Sequence, residues 1–64
     1  MSVQIATNYN EDTDVTVWRE DDGRYIVETR HWFEFMSAET DFEAKWSPYF
    51  LTEREACTYA DSEL

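Results

Sequence analysis

Residues 13–20, TDVTVWRE, alternate β-branched or aromatic side chains with polar ones, which favours a strand. Asp21-Asp22-Gly23 follows as turn chemistry, and Gly23 is the only glycine in the chain. A three-residue hairpin loop needs a left-handed residue at its last position, which glycine adopts at no steric cost. The returning strand, RYIVETRHWFEFM, spans 24–36. This loop sets a register: Glu20 faces Arg24, Trp18 faces Ile26, Val17 faces Val27 and Thr16 faces Glu28. Val15 then faces Thr29, and Asp14 faces Arg30. Two opposite-charge pairs fall across from each other, whereas a two-residue loop would mix valines with charges on one face.

A second turn is expected over 37–40. Residues 41–46 then alternate strictly, with Phe42, Ala44 and Trp46 on one side and Asp41, Glu43 and Lys45 on the other. Thr40 and Glu43 also fit a helix capping box, but the period-two pattern outweighs it. Pro48 ends the strand because it has no N–H to donate. Thr52-Glu53-Arg54-Glu55 is an uncontested capping box, and it predicts a helix over 53–62 with an apolar stripe of Ala56, Tyr59 and Ala60. Val3 and Ile5 alternate weakly, as in a further strand, and residues 8–14 read as a loop.

The expected fold is therefore α+β: a single domain over 1–64, with an antiparallel meander of three or four strands and one C-terminal helix across one face. The helix-covered face is expected to carry Val15, Val17, Tyr25, Val27, Phe33, Phe35, Phe42, Ala44 and Trp46. The open face is expected to carry Trp18, Ile26, Glu28, Arg30, Trp32, Glu34, Glu43 and Lys45.

Charge changes this picture. Fifteen acidic residues against five basic ones give a net charge of −10 on 64 residues. Such a chain repels itself, and a domain this small is already marginally stable. High charge alone predicts disorder, but three Trp, four Tyr and four Phe argue for a packed domain. A single cysteine, Cys57, excludes an internal disulfide and fits a cytosolic setting. No stretch approaches a membrane span, and no signal-peptide pattern is present.

The acid falls in groups. Glu11, Asp12 and Asp14 precede the hairpin, and Glu20, Asp21 and Asp22 form its tip. Glu28, Glu34 and Glu43 are expected along the open face, with Glu39 and Asp41 at the second turn. Alternate strand residues lie about 6.6 Å apart, so such carboxylates would present a row broadly like a phosphate backbone. Two placements oppose stability: Asp61 and Glu63 at the helix C-terminus, and Glu34 opposite Glu43. Salt adaptation in a halophile is a competing source of the acid, although it does not explain the aromatic content. Trp18 and Trp32, on an otherwise polar face, are candidate interface anchors. Self-association through that face would relieve the small core.

Other chemistry is weakly supported. Asn10, Asp12 and Asp14 imitate the start of an EF-hand loop, but Val15 stands where glycine is required and Asp21 where a bidentate Glu is required. His31, the only histidine, lies mid-strand with no nucleophile near it in sequence. Cys57 lies beyond the first helical turn, as a small core residue. No catalytic residue, metal or cofactor is assigned, and the chain is read as non-enzymatic.

The acidic runs at 11–14 and 20–22, with Glu28, Glu34 and Glu43, give the chain a resemblance in size and composition to small inhibitors of bacteriophages and other mobile elements. Anti-CRISPR proteins and other DNA mimics are of this kind. The likeness spans the whole chain but includes no motif, so no residue role is carried over. It implies a non-catalytic inhibitor in the host cytosol that blocks a basic nucleic-acid-binding surface and does not itself bind nucleic acid. The alternative is a small regulatory or antitoxin-like subunit that uses the exposed apolar face.

Overall fold

The computed structural model describes residues 1–34 and 40–64. Among these, the chain forms strands β1 (Val3–Asn10), β2 (Thr13–Arg19), β3 (Tyr25–Glu34) and β4 (Thr40–Trp46), followed by helix α1 (Glu53–Ser62). The strands make one antiparallel sheet in the order β1-β2-β3-β4. The α+β meander with one C-terminal helix is thus the observed architecture. The expected continuation of β3 over Phe35 and Met36, most of the 37–40 turn, and Glu39 lie outside the described residues.

The β2–β3 hairpin closes as its turn chemistry predicts. Glu20 N–H donates to Arg24 O at 2.8 Å, Gly23 N–H donates to Glu20 O at 3.0 Å, and Gly23 has φ 87°. The resulting register is the expected one, from Asp14 opposite Arg30 to Trp18 opposite Ile26. The helix also begins and ends where expected. Thr52 Oγ1 accepts from Glu55 N–H at 3.2 Å, but the Glu55 carboxylate accepts from the Thr52 hydroxyl at 3.0 Å, not from a backbone amide.

Two expectations are corrected. Residues 8–14 are not a loop: β1 runs to Asn10 and β2 starts at Thr13, joined by a tight turn at Glu11 and Asp12. Glu11 takes the left-handed conformation there, with φ 47°, which a glutamate gives no reason to expect. In addition, β4 presents the opposite face. Thr29 pairs with Lys45, Arg30 with Ala44 and Trp32 with Phe42. Directly paired residues share a face, so Phe42, Ala44 and Trp46 lie on the open side, while Asp41, Glu43 and Lys45 lie on the helix side.

The core is accordingly built from small residues. Val15, Val17, Val27, Ala56 and Ala60 are buried together, with Ile5, Tyr25, Phe50, Cys57, Tyr59 and Leu64 packed around them. Alanines at 56 and 60 let α1 lie close across β2 and β3. A register shift between Gln4 and Ala6 marks a bulge at Ile5, which is half-buried against this core. Ser47 terminates β4: its Oγ accepts from Val27 N–H at 2.8 Å and donates to Pro48 O at 2.8 Å. The chain then rejoins the sheet edge through a two-way bridge between Tyr25 and Phe50, at 2.8 and 2.7 Å.

Candidate functional site: the open face of the sheet

The face opposite the helix carries an aromatic surface around a neutralised charge cluster. Trp18 on β2, Ile26, Glu28, Arg30 and Trp32 on β3, and Phe42, Ala44 and Trp46 on β4 share it. Tyr9 enters it from β1, opposite Asp14. Trp32 and Phe42 pack with centroids 4.7 Å apart and planes tilted 47°. The Arg30 guanidinium lies over the other side of this group, 4.9 Å from the Phe42 centroid. Trp46 is 54% exposed and Phe42 37% exposed.

Carboxylates on this face are held by side chains of the same face. Glu28 is only 6% exposed. It accepts from Arg30 Nε at 3.0 Å, Arg30 Nη2 at 3.3 Å and Trp18 Nε1 at 3.3 Å. The Glu28 hydrogen bond is the main reason the Arg30 guanidinium is held even more firmly protonated than usual, against the opposing effect of burial. Asp14 accepts from Trp32 Nε1 at 2.6 Å. Both tryptophans therefore have satisfied indole N–H groups, and both are half-buried in this face.

The acidic residues expected to form a row do not form one. Glu28 is buried beneath its partners, and Asp14 is half-buried. Glu43 is exposed but points to the helix side, opposite His31; Glu34 pairs with Thr40, so the expected Glu34–Glu43 opposition is absent. The reason is the inverted face of β4. Lys45 lies on the helix side, where it donates to Glu63 at 3.1 Å. This bond draws the Glu63 carboxyl below its ordinary range and raises the Lys45 ammonium. Glu63 at the helix terminus is thus compensated from β4 and does not mark a charge placed against stability.

Strand direction gathers the acid of the two hairpin turns at opposite ends of the sheet, while Glu53, Glu55 and Asp61 are exposed on α1. Glu11 and Asp12 are exposed at the β1–β2 turn, the end that also holds Glu34 and Asp41. A hydrogen bond from Trp32 N–H to Asp12 O, 2.7 Å long, fastens that turn to β3. Glu20, Asp21 and Asp22 occupy the opposite end. Eight residue steps of extended chain lead from Asp12 to Glu20, or about 26 Å. The hairpin tip is partly compensated: Ser2 Oγ donates to Glu20 at 2.7 Å, the N-terminal ammonium pairs with Asp21, and Arg24 Nε binds Asp22 at 2.7 Å. Hydrogen bonds from the Arg24 backbone and side chain lower the Asp22 carboxyl. Arg24 also stacks 4.1 Å from the Tyr49 ring centroid.

Phe42, Trp46 and Tyr9 are the face residues that sequence reasoning missed. The alternation of β4 fits either face, and Tyr9 fell in the stretch read as a loop. Elsewhere, a cleft of about 200 Å³ opens between β1 and α1, lined by Ala6, Val15, Val17, Cys57, Ala60 and Asp61 among others. Burial, reinforced by Glu53 and Asp61, raises the Cys57 thiol, so the cleft holds a poor nucleophile. No group of three or more His, Cys, Asp or Glu among the described residues is placed to hold a metal ion. No helix among them is long and apolar enough to cross a membrane. No protein-family model matches the chain, and neither curated proteins nor solved structures give a match.

Proposed function

We propose that this chain is a non-catalytic binding inhibitor that lays its open face on a basic nucleic-acid-binding surface and excludes the normal ligand. The observation that carries this reading is the combination of exposed rings on one face of the sheet with acidic turns at its two ends. Surfaces that bind single-stranded nucleic acid pair a cationic groove with aromatic platforms on which bases stack. Trp46, Phe42, Trp32 and Trp18 offer planar rings to such platforms, and the two acidic ends offer anions to the groove. The central Glu28–Arg30 pair is neutral as a unit, so the middle of the face docks with little exposed charge to desolvate. This arrangement favours imitation of splayed bases between phosphates over imitation of a regular duplex backbone.

The test is competition on a captured target. Binding should fall steeply with salt, and a single-stranded oligonucleotide should displace the inhibitor. The triple change Glu20→Lys, Asp21→Lys, Asp22→Lys should weaken binding, as should Trp46→Ala. Binding that survives the triple reversal and resists the oligonucleotide, yet is lost with Trp46→Ala, would instead support the antitoxin-like subunit. The exposed Trp46 ring is the specific observation in favour of that second reading.

A further inference from the structure

We propose that β4 is also the seam of a two-fold homodimer, in which the β4 strands of two copies pair antiparallel about Ala44. The backbone defines which groups are free. Ser47 N–H donates to Val27 O at 2.9 Å, so that pair is a hydrogen-bonded one. Such pairs alternate along an antiparallel ladder. Thr29–Lys45, His31–Glu43 and Phe33–Asp41 are therefore the pairs bonded to β3, and Phe42, Ala44 and Trp46 direct their N–H and C=O groups to the outer edge. Among the described residues, β4 pairs only with β3, and every residue of β4 is exposed.

The order of side chains along this edge is self-complementary in one register. With the axis on Ala44, Glu43 meets Lys45 of the second copy and Phe42 meets its Trp46, each twice by symmetry. The outward amides and carbonyls of these residues then make about six backbone hydrogen bonds. Neighbouring registers fail on charge. An axis on Phe42 sets Asp41 against Glu43, an axis on Glu43 sets it against itself, and an axis on Lys45 does the same to the lysine. Charged edge strands usually block pairing, but here their order selects one pairing.

Other features agree. Lys45 donates to both Glu63 carboxylate oxygens within its own chain, at 3.1 and 3.4 Å, which holds its ammonium on the helix side beside the seam. Pro48 stops the ladder just past Ser47. The opposite sheet edge, β1, is interrupted by its bulge at Ile5 and offers a shorter regular run. A two-fold axis normal to the sheet keeps both open faces on the same side, so the dimer doubles the aromatic surface. Each copy carries −10, so association strengthens as salt screens the repulsion. Partner binding has the opposite salt dependence, and the two ideas stand or fall separately.

Sedimentation velocity of the full chain between about 0.01 M and about 1 M salt, where the screening length drops from about 30 to about 3 Å, reads the association. The dimer fraction should rise with salt. Ala44→Pro removes the amide at the axis but no bond to β3, so it should stay monomeric at every salt with unchanged circular dichroism. Should that variant unfold, Ala44→Cys combined with Cys57→Ala decides. Facing Cα atoms about 5.5 Å apart lie within disulfide reach, so mild oxidation should cross-link it. A monomer at every salt that resists this cross-link, or a folded Ala44→Pro that dimerises as the wild type does, overturns the proposal.

Discussion

Replacing Arg30 with methionine strips the counter-charge from a carboxylate that water hardly reaches. The Glu28 side chain is 8% exposed and that of Arg30 35% exposed. Breaking a buried pair by removing one member costs about 3–5 kcal/mol, and partial access of water to Arg30 brings this to about 2–3. The methionine keeps an unbranched apolar side chain, so the loss is mainly electrostatic and includes the guanidinium contact with Phe42. A chain of this length has about 3–10 kcal/mol of total stability, so the variant approaches half-unfolding at the lower end. Glu28→Gln alone should cost about 1 kcal/mol, because the amide still accepts from Trp18. The double variant Glu28→Gln with Arg30→Met should be only about 1 kcal/mol below wild type, since no charge is then buried without a partner. Urea unfolding followed by tryptophan fluorescence supplies all four corners of the cycle. If the double variant loses the sum of the two singles, Arg30 does not stabilise Glu28 and the account of the open face is wrong.

Three further changes probe other parts of the fold. Thr29 Oγ1 is buried without a hydrogen-bond partner among the described residues, and Thr29→Val should raise stability by about 1 kcal/mol in the same urea assay. Glu11 has φ 47°, and Glu11→Gly should raise the melting temperature by a few degrees, because about 1 kcal/mol of left-handed strain is relieved and one repelling charge removed. Lys45 draws the Glu63 carboxyl below its ordinary value of 4.5, so folding the chain favours the ionised form. That contribution is complete above the unfolded value and lost as pH falls through the lower folded one. The stability gap between wild type and Glu63→Gln should therefore be largest near neutral pH and shrink as pH falls below the ordinary value of 4.5. A gap that is constant with pH would rule out the Lys45–Glu63 pair as its source.

Local chemistry was legible in the residues themselves. Gly23 at the end of Asp-Asp-Gly determines a three-residue loop, and with it every pairing from Asp14–Arg30 to Trp18–Ile26. Thr52 and Glu55 determine the start of α1, and Pro48 the end of β4. These features depend on the φ preference or hydrogen-bonding capacity of one or two neighbouring residues, which sequence records directly. The Glu11 turn was less legible, because a glutamate in the left-handed region is tolerated only under the pull of the strands on either side.

The face of β4 was decided by tertiary structure alone. Its alternation is equally good either way up, and a one-residue change in the connection from β3 inverts it. What selects the observed side is distant in sequence: Trp32 and Arg30 receive Phe42, while Glu63 receives Lys45. The same holds for the acid. The sequence determines a net charge of −10, but only the packed sheet decides that Glu28 and Asp14 are consumed by Arg30, Trp18 and Trp32. Of the exposed remainder, Glu11, Asp12, Glu34 and Asp41 lie at one end of the sheet and Asp21 and Asp22 at the other, because antiparallel strands carry successive turns to opposite edges, while Glu43 lies on the helix side and Glu53, Glu55 and Asp61 on α1.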